Sequence, residues 1–374
     1  MTLYIFYFFS FIYFASLIYF IFSLKYVKNK KTSNFHPNVS IIVCVRNGSV
    51  SLSRILNQFK NQKYNGELEF IIVDDQSTDD TKEIILKFIA DDNRFKYFSS
   101  TNDTSNLNHK KKALNIGIES ASNEYLLFTD VDCEVNEGWT SAMMSSYNGN
   151  DYVVGYSETI PNNSIVSHFQ SIDFRMLMLS CASTTFAGFP LACSGQNQSY
   201  KKSLFLSVGG FERIQNLLQG DDSIFLQICR KVKNIKVSFA FIKESYVKAK
   251  RIDSLKEFLM QRIRWAGDAN IMWQYNKLFF IIILSTFVIN LSYCILLLTL
   301  FLSEKFILLF IALTSVKVIL EFLLYFLGSK KLNRDILIKS FFLWFIFNPF
   351  YTVLVGLLSF YVQKIKWKGR SSIV

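Results

Sequence analysis

LEFIIVDDQSTDDTKEIILKFIA, residues 68–90, reads as one strand–turn–helix unit. The run Leu68–Val73 is apolar and partly β-branched, and it stops at Asp74-Asp75. Ser77-Thr78-Asp79 then offers a helix cap before TKEIILKFIA. Upstream, VSIIVCV (39–45) ends at Arg46-Asn47-Gly48 and is followed by the helix-like SLSRILNQFKNQ. Downstream, the short strand FKYF precedes the helical KKKALNIGIESA, and the strand YLLFT (125–129) stops at Asp130. Strands alternating with helices of this length predict an α/β fold with a largely parallel, doubly wound sheet. Ligands bind such sheets beyond the carboxyl ends of the strands, and both acidic clusters fall at that edge.

The 374 residues exceed one ordinary core, and the apolar residues concentrate at the two ends of the chain. A hydrophobic fraction of 51%, with 38 Phe, is more than a soluble domain needs. Residues 2–24 carry no charge and are long enough to span a hydrocarbon core of ~30 Å. A signal peptide would need a basic start and a small-residue cleavage site. Lys25, Lys28, Lys30 and Lys31 follow instead, so residues 1–24 read as a retained anchor whose C-terminal side is cytoplasmic.

Three further apolar stretches, about 278–302, 306–328 and 336–362, form the tail. Lys317 and Glu321 lie on one face of the second and can pair. Asn348-Pro349 near the middle of the third predicts a kinked or partly re-entrant helix. Three full spans would put the basic end (Lys364, Lys366, Lys368, Arg370) outside, against the charge rule, so the topology of the last segment stays open. The domains expected are an anchor (1–24), a cytoplasmic domain (39–253), an amphipathic interfacial helix (254–277), membrane helices (278–363) and a basic tail (364–374). The helix within 254–275 is expected to run straight into the first tail span, and SIVSHFQSIDFRMLMLSCASTTFA (164–187) reads as a helix with an apolar stripe.

The net charge of +12 suits a protein that lies against anionic lipid and handles phosphates. No nucleic-acid recognition motif accompanies the basic residues, so nucleic acid is not an expected partner. The six Cys form no CxxC pair and the three His are scattered, which argues against a zinc site and against a disulfide framework.

Four clusters remain, each with a bland and a functional reading. Asp74-Asp75 ends a strand, where Asp commonly bonds turn amides, yet a carboxylate there can also accept from a nucleobase or ribose hydroxyl. Asp130-Val131-Asp132 can aim one carboxylate at a sugar and one at a hard cation such as Mg2+ or Mn2+, which takes oxygen ligands and substrate phosphates. Asp221-Asp222 precedes SIFLQICRK, either as a helix cap or as a general base near an acceptor hydroxyl. Gln261, Arg264 and Trp265 share one helix face, where Arg suits a diphosphate and Trp a sugar ring. Anchoring at the membrane surface is the competing account, and Arg262, pointing elsewhere, is expected to face lipid.

Taken together, VDDQSTDDT, KKKALNIGI, TDVDCEV, SGQNQSYKKSLFLSVGGF, QGDDS and QRIRW resemble the family 2 glycosyltransferases. The likeness is to the membrane-integrated branch with cellulose, hyaluronan and poly-N-acetylglucosamine synthases and ceramide glucosyltransferase, over residues 39–275. The resemblance implies an A-type glycosyltransferase (GT-A) fold, a UDP-sugar donor, a divalent cation and inversion at the anomeric carbon. It assigns Asp75 to the uridine, with Asn47 as a further nucleotide contact, and Lys110 to the basic position of the K-x-x-A-L-N element. Asp130 matches the nucleotide-sugar acid, Asp132 the metal ligand and Asp222 the base. Gln261, Arg264 and Trp265 match QxxRW, with Gln261 and Arg264 toward the donor and Trp265 toward the acceptor. Trp367-Lys368-Gly369-Arg370 looks like a C-terminal element of some glycolipid-forming relatives.

The sequence departs from the pattern at three places. The usual Pro-x-Tyr-Asn is Val45-Arg46-Asn47, the usual glycine after the first acid pair is Gln76, and Gly220 precedes the base pair where Thr-Glu-Asp is frequent. The expected activity is transfer of a sugar to a membrane lipid or lipid-linked glycan, by a multi-pass protein of the cell (inner) membrane. Synthesis of an extruded polysaccharide is the alternative. A catalytically dead sugar-nucleotide sensor would have lost a catalytic carboxylate, and a transporter would not need a donor site.

Overall fold

The computed structural model describes residues 2–27, 35–102, 106–147, 149–300 and 306–364. Lys28, Lys30, Lys31 and the Trp367–Arg370 element lie outside them. The chain divides into two compact units.

One unit comprises residues 28–158 and 188–250 and is built on a seven-stranded sheet in the order β3-β2-β1-β4-β7-β5-β8. Its members are β1 (Val39–Val45), β2 (Leu68–Asp74), β3 (Phe95–Ser99), β4 (Tyr125–Phe128), β5 (Tyr152–Gly155), β7 (Gln198–Lys201) and β8 (Val237–Ala240). β1 pairs in parallel with both β2 and β4, and β2 pairs with β3, as the alternating strands and helices predict. β1 and β2 are buried along nearly their whole length, which is why they read as continuous apolar runs. β7 is antiparallel to β4 and to β5, and so breaks the parallel sheet near its middle. A small second sheet pairs β6 (Ser157–Glu158) with β9 (Val247–Lys248).

Helices α2 (Ser49–Lys60), α3 (Thr81–Asp91), α4 (His109–Ser120) and α5 (Trp139–Ser145) belong to this unit, followed by α7 (Lys202–Ser207) and α8 (Ser223–Cys229). Helix α3 starts at Thr81, as the segment TKEIILKFIA predicts, but the residue at its N-cap is Asp80 rather than one of Ser77-Thr78-Asp79. Asp79 still serves the start of α3, accepting from the Thr81 amide and hydroxyl at 3.2 and 2.6 Å. Helix α4 comes close to the sheet because Gly117 lacks a side chain: a Cβ there would lie 2.6 Å from Ile42.

The other unit comprises residues 1–27, 159–187 and 251–373. Four of its helices are long and apolar enough to cross a membrane: Tyr4–Tyr26, Lys277–Leu300, Ile307–Lys331 and Ile338–Tyr361. They contain α1 (Thr2–Ser23), α10 (Lys277–Leu300), α11 (Ile307–Lys331) and α12 (Ile338–Leu358). Helix α6 (Ile165–Phe186) groups with these rather than with the sheet, although it falls inside the 39–253 segment. Helix α9 (Leu255–Ile271) does not run straight into α10. A short 3-10 turn, Met272–Gln274, intervenes, and the Asn276 side chain caps α10 by accepting from the Phe279 amide at 3.0 Å. Helix α12 continues through Pro349, so of the kinked or partly re-entrant helix expected there, the re-entrant break is not present.

Lys317 and Glu321 pair as their spacing predicts, at 2.8 Å and fully enclosed. The Tyr13 hydroxyl of α1 also donates to Glu321, and the Lys317 ammonium lies 4.8 Å from the Phe345 ring centre of α12. One charge pair thus touches three helices. Glu321→Gln strands the Lys317 ammonium and is expected to cost ~3 kcal/mol, read as a lower melting temperature in detergent. The double variant Lys317→Met/Glu321→Leu is expected to recover most of that loss, and a Glu321→Gln protein that melts like the parent would show that the pair is not structural.

Candidate active site

The carboxyl ends of β1, β2 and β4 lie side by side, because Val45 aligns with Asp74 and Ile42 with Phe128. Asp74-Asp75 closes β2, and Asp130-Val131-Asp132 follows β4. The Asp75 amide donates to Val45 O at 2.7 Å, and its buried carboxylate accepts from Ser100 Oγ at 2.8 Å. Asp74 is a turn residue: it accepts from the Ser77 amide at 2.9 Å and from the Tyr97 hydroxyl at 3.2 Å.

Asn47 has φ 49°, and its side-chain oxygen accepts from the Thr78 amide at 2.8 Å, which leaves the amide nitrogen as its outward donor. Arg46 closes the same turn by donating to Asp75 O and Gln76 O at 2.8 and 3.1 Å. Gln76 stands at φ 56°, the left-handed conformation that accounts for the glycine usual there.

Lys110, near the start of α4, connects two clusters. Its ammonium is 2.8 Å from Asp130 Oδ1 and 3.4 Å from Asp221 Oδ2. Burial alone would lower it, but Asp130 and Asp221 outweigh that and hold it well above its ordinary value. The next residue, Lys111, is buried and donates to Leu217 O and, at 3.0 Å, to Gln219 O. It therefore holds the loop that leads into the second acid pair. Gly220 follows at φ 103°, a conformation that a threonine would occupy only with strain.

Asp222 is the N-cap of α8, so the bland reading is correct as far as it goes: its carboxylate accepts from the Ser223 amide. It also accepts from the Gly195 amide at 3.3 Å. Burial, then repulsion from Asp221, pushes its carboxyl up to about 6, against the opposing effect of these amides and of Lys110. An acid so placed changes charge within the range where a general base is useful.

Ligand atoms of Asp130, Asp132 and Cys133 lie within 4.8 Å of one another. The two carboxylates are partly exposed, whereas Cys133 is buried and its thiol is pushed up by that burial and by the neighbouring aspartates. Hard oxygen donors suit Mg2+ or Mn2+ and a protonated thiol does not, so Asp130 and Asp132 are the residues that fit a divalent cation.

Asn47, Asp75, Lys110, Asp130, Asp132 and Asp222 therefore belong to one unit, and Gln261, Arg264 and Trp265 to the other, on α9. All three on α9 are partly exposed. Arg262 does not face lipid as expected. It is buried and forms a 2.8 Å ion pair with Asp173 of α6. A helix wheel separates Arg262 from its neighbours but does not show what that side meets, and Asp173, the one acid of α6, was the available signal. Asp221 was quoted with Asp222 as one cluster but given no role of its own, and Gly195 was not singled out from sequence. Asp221 sits beside the base candidate, and Gly195 lies in the quoted SGQNQSYKKSLFLSVGGF.

Residues 40–204 match the family described as Glycosyl transferase family 2, and residues 140–358 match Glycosyl transferase family group 2. A GalNAc(5)-diNAcBac-PP-undecaprenol beta-1,3-glucosyltransferase of Campylobacter jejuni is 37% identical over 112 residues, 30% of this chain and 35% of that one. A poly-beta-1,6-N-acetyl-D-glucosamine synthase of Staphylococcus aureus is 28% identical over 194 residues, 50% of this chain and 45% of that one. The matches thus span less than half of either relative. Among solved structures, a mannosyltransferase of Pyrobaculum calidifontis in complex with GDP-Man and Mn2+ is similar at TM-score 0.62 and 14% identity, over 93% of this chain and 95% of that one. That likeness carries the fold, a mixed α/β sheet of the A-type glycosyltransferase kind with apolar helices. The second family match runs over more than half of the chain, through the acid pair, QxxRW and the apolar tail, and on that ground the chain belongs to the family 2 glycosyltransferases.

Proposed function

We propose that this protein is an inverting, cation-dependent glycosyltransferase that moves a sugar from a UDP-sugar to a lipid or lipid-linked glycan at the membrane. The observation that carries the proposal is the Lys110-bridged carboxylate cluster, with Asp222 raised to about 6 beside it. The undecaprenol-linked acceptor in the Campylobacter relative's name favours a membrane-borne acceptor. The Staphylococcus relative's name keeps extracellular polysaccharide synthesis as the second reading. The proposed setting is the inner membrane, with the sheet unit in the cytoplasm, where nucleotide sugars are available.

In this mechanism Asp75 and the Asn47 amide receive the nucleoside, and Asp130 orients the sugar nucleotide. Asp130 and Asp132 would hold Mg2+ or Mn2+, whose charge favours the diphosphate as leaving group. Asp222 removes the proton from an acceptor hydroxyl. The freed oxygen attacks the anomeric carbon as the bond to the nucleoside diphosphate breaks, so the new linkage has inverted configuration. Lys110, held charged by Asp130 and Asp221, keeps the acidic edge tolerant of an anionic donor. On the other unit Gln261 and Arg264 are assigned to the donor diphosphate and Trp265 to the acceptor sugar.

The decisive experiment incubates purified protein in lipid with UDP- and GDP-sugars, with and without Mg2+ or Mn2+, and measures nucleotide release. Release from a UDP-sugar that needs both cation and acceptor is expected, and silence across the panel would overturn the proposal. A sizing gel distinguishes single transfer from polymer.

Asp222→Asn is expected to lower transfer by about a thousandfold while donor affinity stays within about twofold. Normal turnover by that variant would remove Asp222 as base. Because the active form is the ionised carboxylate and its value is raised to about 6, kcat/KM is expected to fall about tenfold per unit as pH drops below that point. A limb near pH 4, the ordinary carboxylate range, would contradict the assignment.

A further inference from the structure

Arg262 is the charged residue of QRIRW that the proposed mechanism leaves unused, yet it is buried and held by an ion pair. Its guanidinium donates through Nε and pairs through Nη2 with Asp173 Oδ2, both at 2.8 Å. Its Nη1 donates to Gln261 Oε1 at 3.2 Å. The guanidinium carbon lies over the rings of Trp265 and Phe258, 4.1 and 5.0 Å from their centres. One planar cation therefore holds the amide of Gln261 from its edge and the indole of Trp265 from its face. Lysine cannot do both, since it offers no fork and no flat surface.

Asp173 is itself fixed. Its second oxygen accepts from Trp344 Nε1 at 3.4 Å, and the Tyr351 hydroxyl bonds the same carboxylate. Both partners lie on α12, one turn before and just after the Asn348-Pro349 step. The ring of Tyr351 also stacks on Phe258 of α9, with centroids 5.5 Å apart.

We infer that Arg262 and Asp173 form a positioning pair that fixes the orientation of Gln261 and Trp265 and makes it depend on α6 and α12. The pair touches neither donor nor acceptor. It sets how long Trp265 presents the face that an acceptor sugar needs, which is a matter of preorganisation rather than chemistry. The kinetic part of this inference rests on the acceptor role proposed for Trp265, and the spectroscopic part does not.

The test uses full-length protein in detergent carrying 5-fluorotryptophan, with the Trp265 resonance assigned by Trp265→Phe. Arg262→Lys keeps a cation beside Asp173, and Arg262→Met/Asp173→Asn removes both charges together, so neither leaves a lone buried charge. In both variants the Trp265 fluorine signal is expected to shift or broaden, while those of Trp139 and Trp273 hold. Acceptor KM is expected to rise at least fivefold with donor KM unchanged, and adding Trp265→Ala to either variant is expected to raise it no further. A Trp265 signal that stays sharp and unshifted in both variants overturns the inference, whatever the kinetics. If the signal moves but Trp265→Ala leaves acceptor KM unaltered, the positioning pair stands and the acceptor role of Trp265 falls. A merely structural pair would reduce the active fraction, and hence kcat, without moving acceptor KM.

Discussion

Carboxylates gathered at one sheet edge repel one another, and the Lys110 ammonium is what makes the edge tolerable. It reaches Asp130 at 2.8 Å and Asp221 at 3.4 Å, joining the acid after β4 to the acid before α8. Its ion pairs do not extend to Asp222, whose partners are the Ser223 and Gly195 amides. Asp130 and Asp221 are thus of one kind, neutralised by a cation, and Asp222 is of a second, keeping the repulsion of its neighbour. The second kind is the one whose proton equilibrium shifts up to about 6. That contrast is what favours Asp222 over Asp221 for the proposed role of base.

The helical unit obeys the same constraint with a different result. Lys317–Glu321 and Arg262–Asp173 are both enclosed ion pairs, and enclosed pairs add little stability over apolar residues of the same volume. Their value is geometric. The first, lying along one helix, gathers α1 and α12 around α11. The second crosses from α9 to α6 and is turned toward two residues of QRIRW. A cost in desolvation is repaid in one case by helix placement and in the other by side-chain orientation.

The parallel half of the sheet was legible because buried parallel strands are nearly continuous apolar runs, and β1 and β2 are such runs. β7 was not, since QSYK has a single aromatic among three polar residues and is only four long. Its antiparallel place depends on pairing with β4 and β5, which no local pattern reveals. The clusters were legible as positions but not as partners. Asp74 and Asp75 look alike in the sequence, yet one is spent on the Ser77 amide and Tyr97 hydroxyl while the other lies enclosed against Ser100. Arg262 was misplaced for the same reason: periodicity gives a side chain its direction and leaves open whether lipid or a carboxylate lies there.

The departures from the family pattern show which parts of the edge are held by backbone and which by side chain. Gln76 replaces the usual glycine yet keeps φ 56°, and the Arg46 guanidinium holds its carbonyl at 3.1 Å. The left-handed turn is therefore imposed from outside, at a cost of ~1 kcal/mol that glycine would not incur. At Gly220 the relation is reversed, because φ 103° is available to glycine and the Lys111 ammonium secures the preceding Gln219 carbonyl. In both places a lysine or arginine clamps main-chain oxygens and fixes the path of the chain, out of the first acid pair and into the second. The residue type at the turn can then vary while the carboxylates stay where they are, so these departures bear on local strain and not on the reaction class.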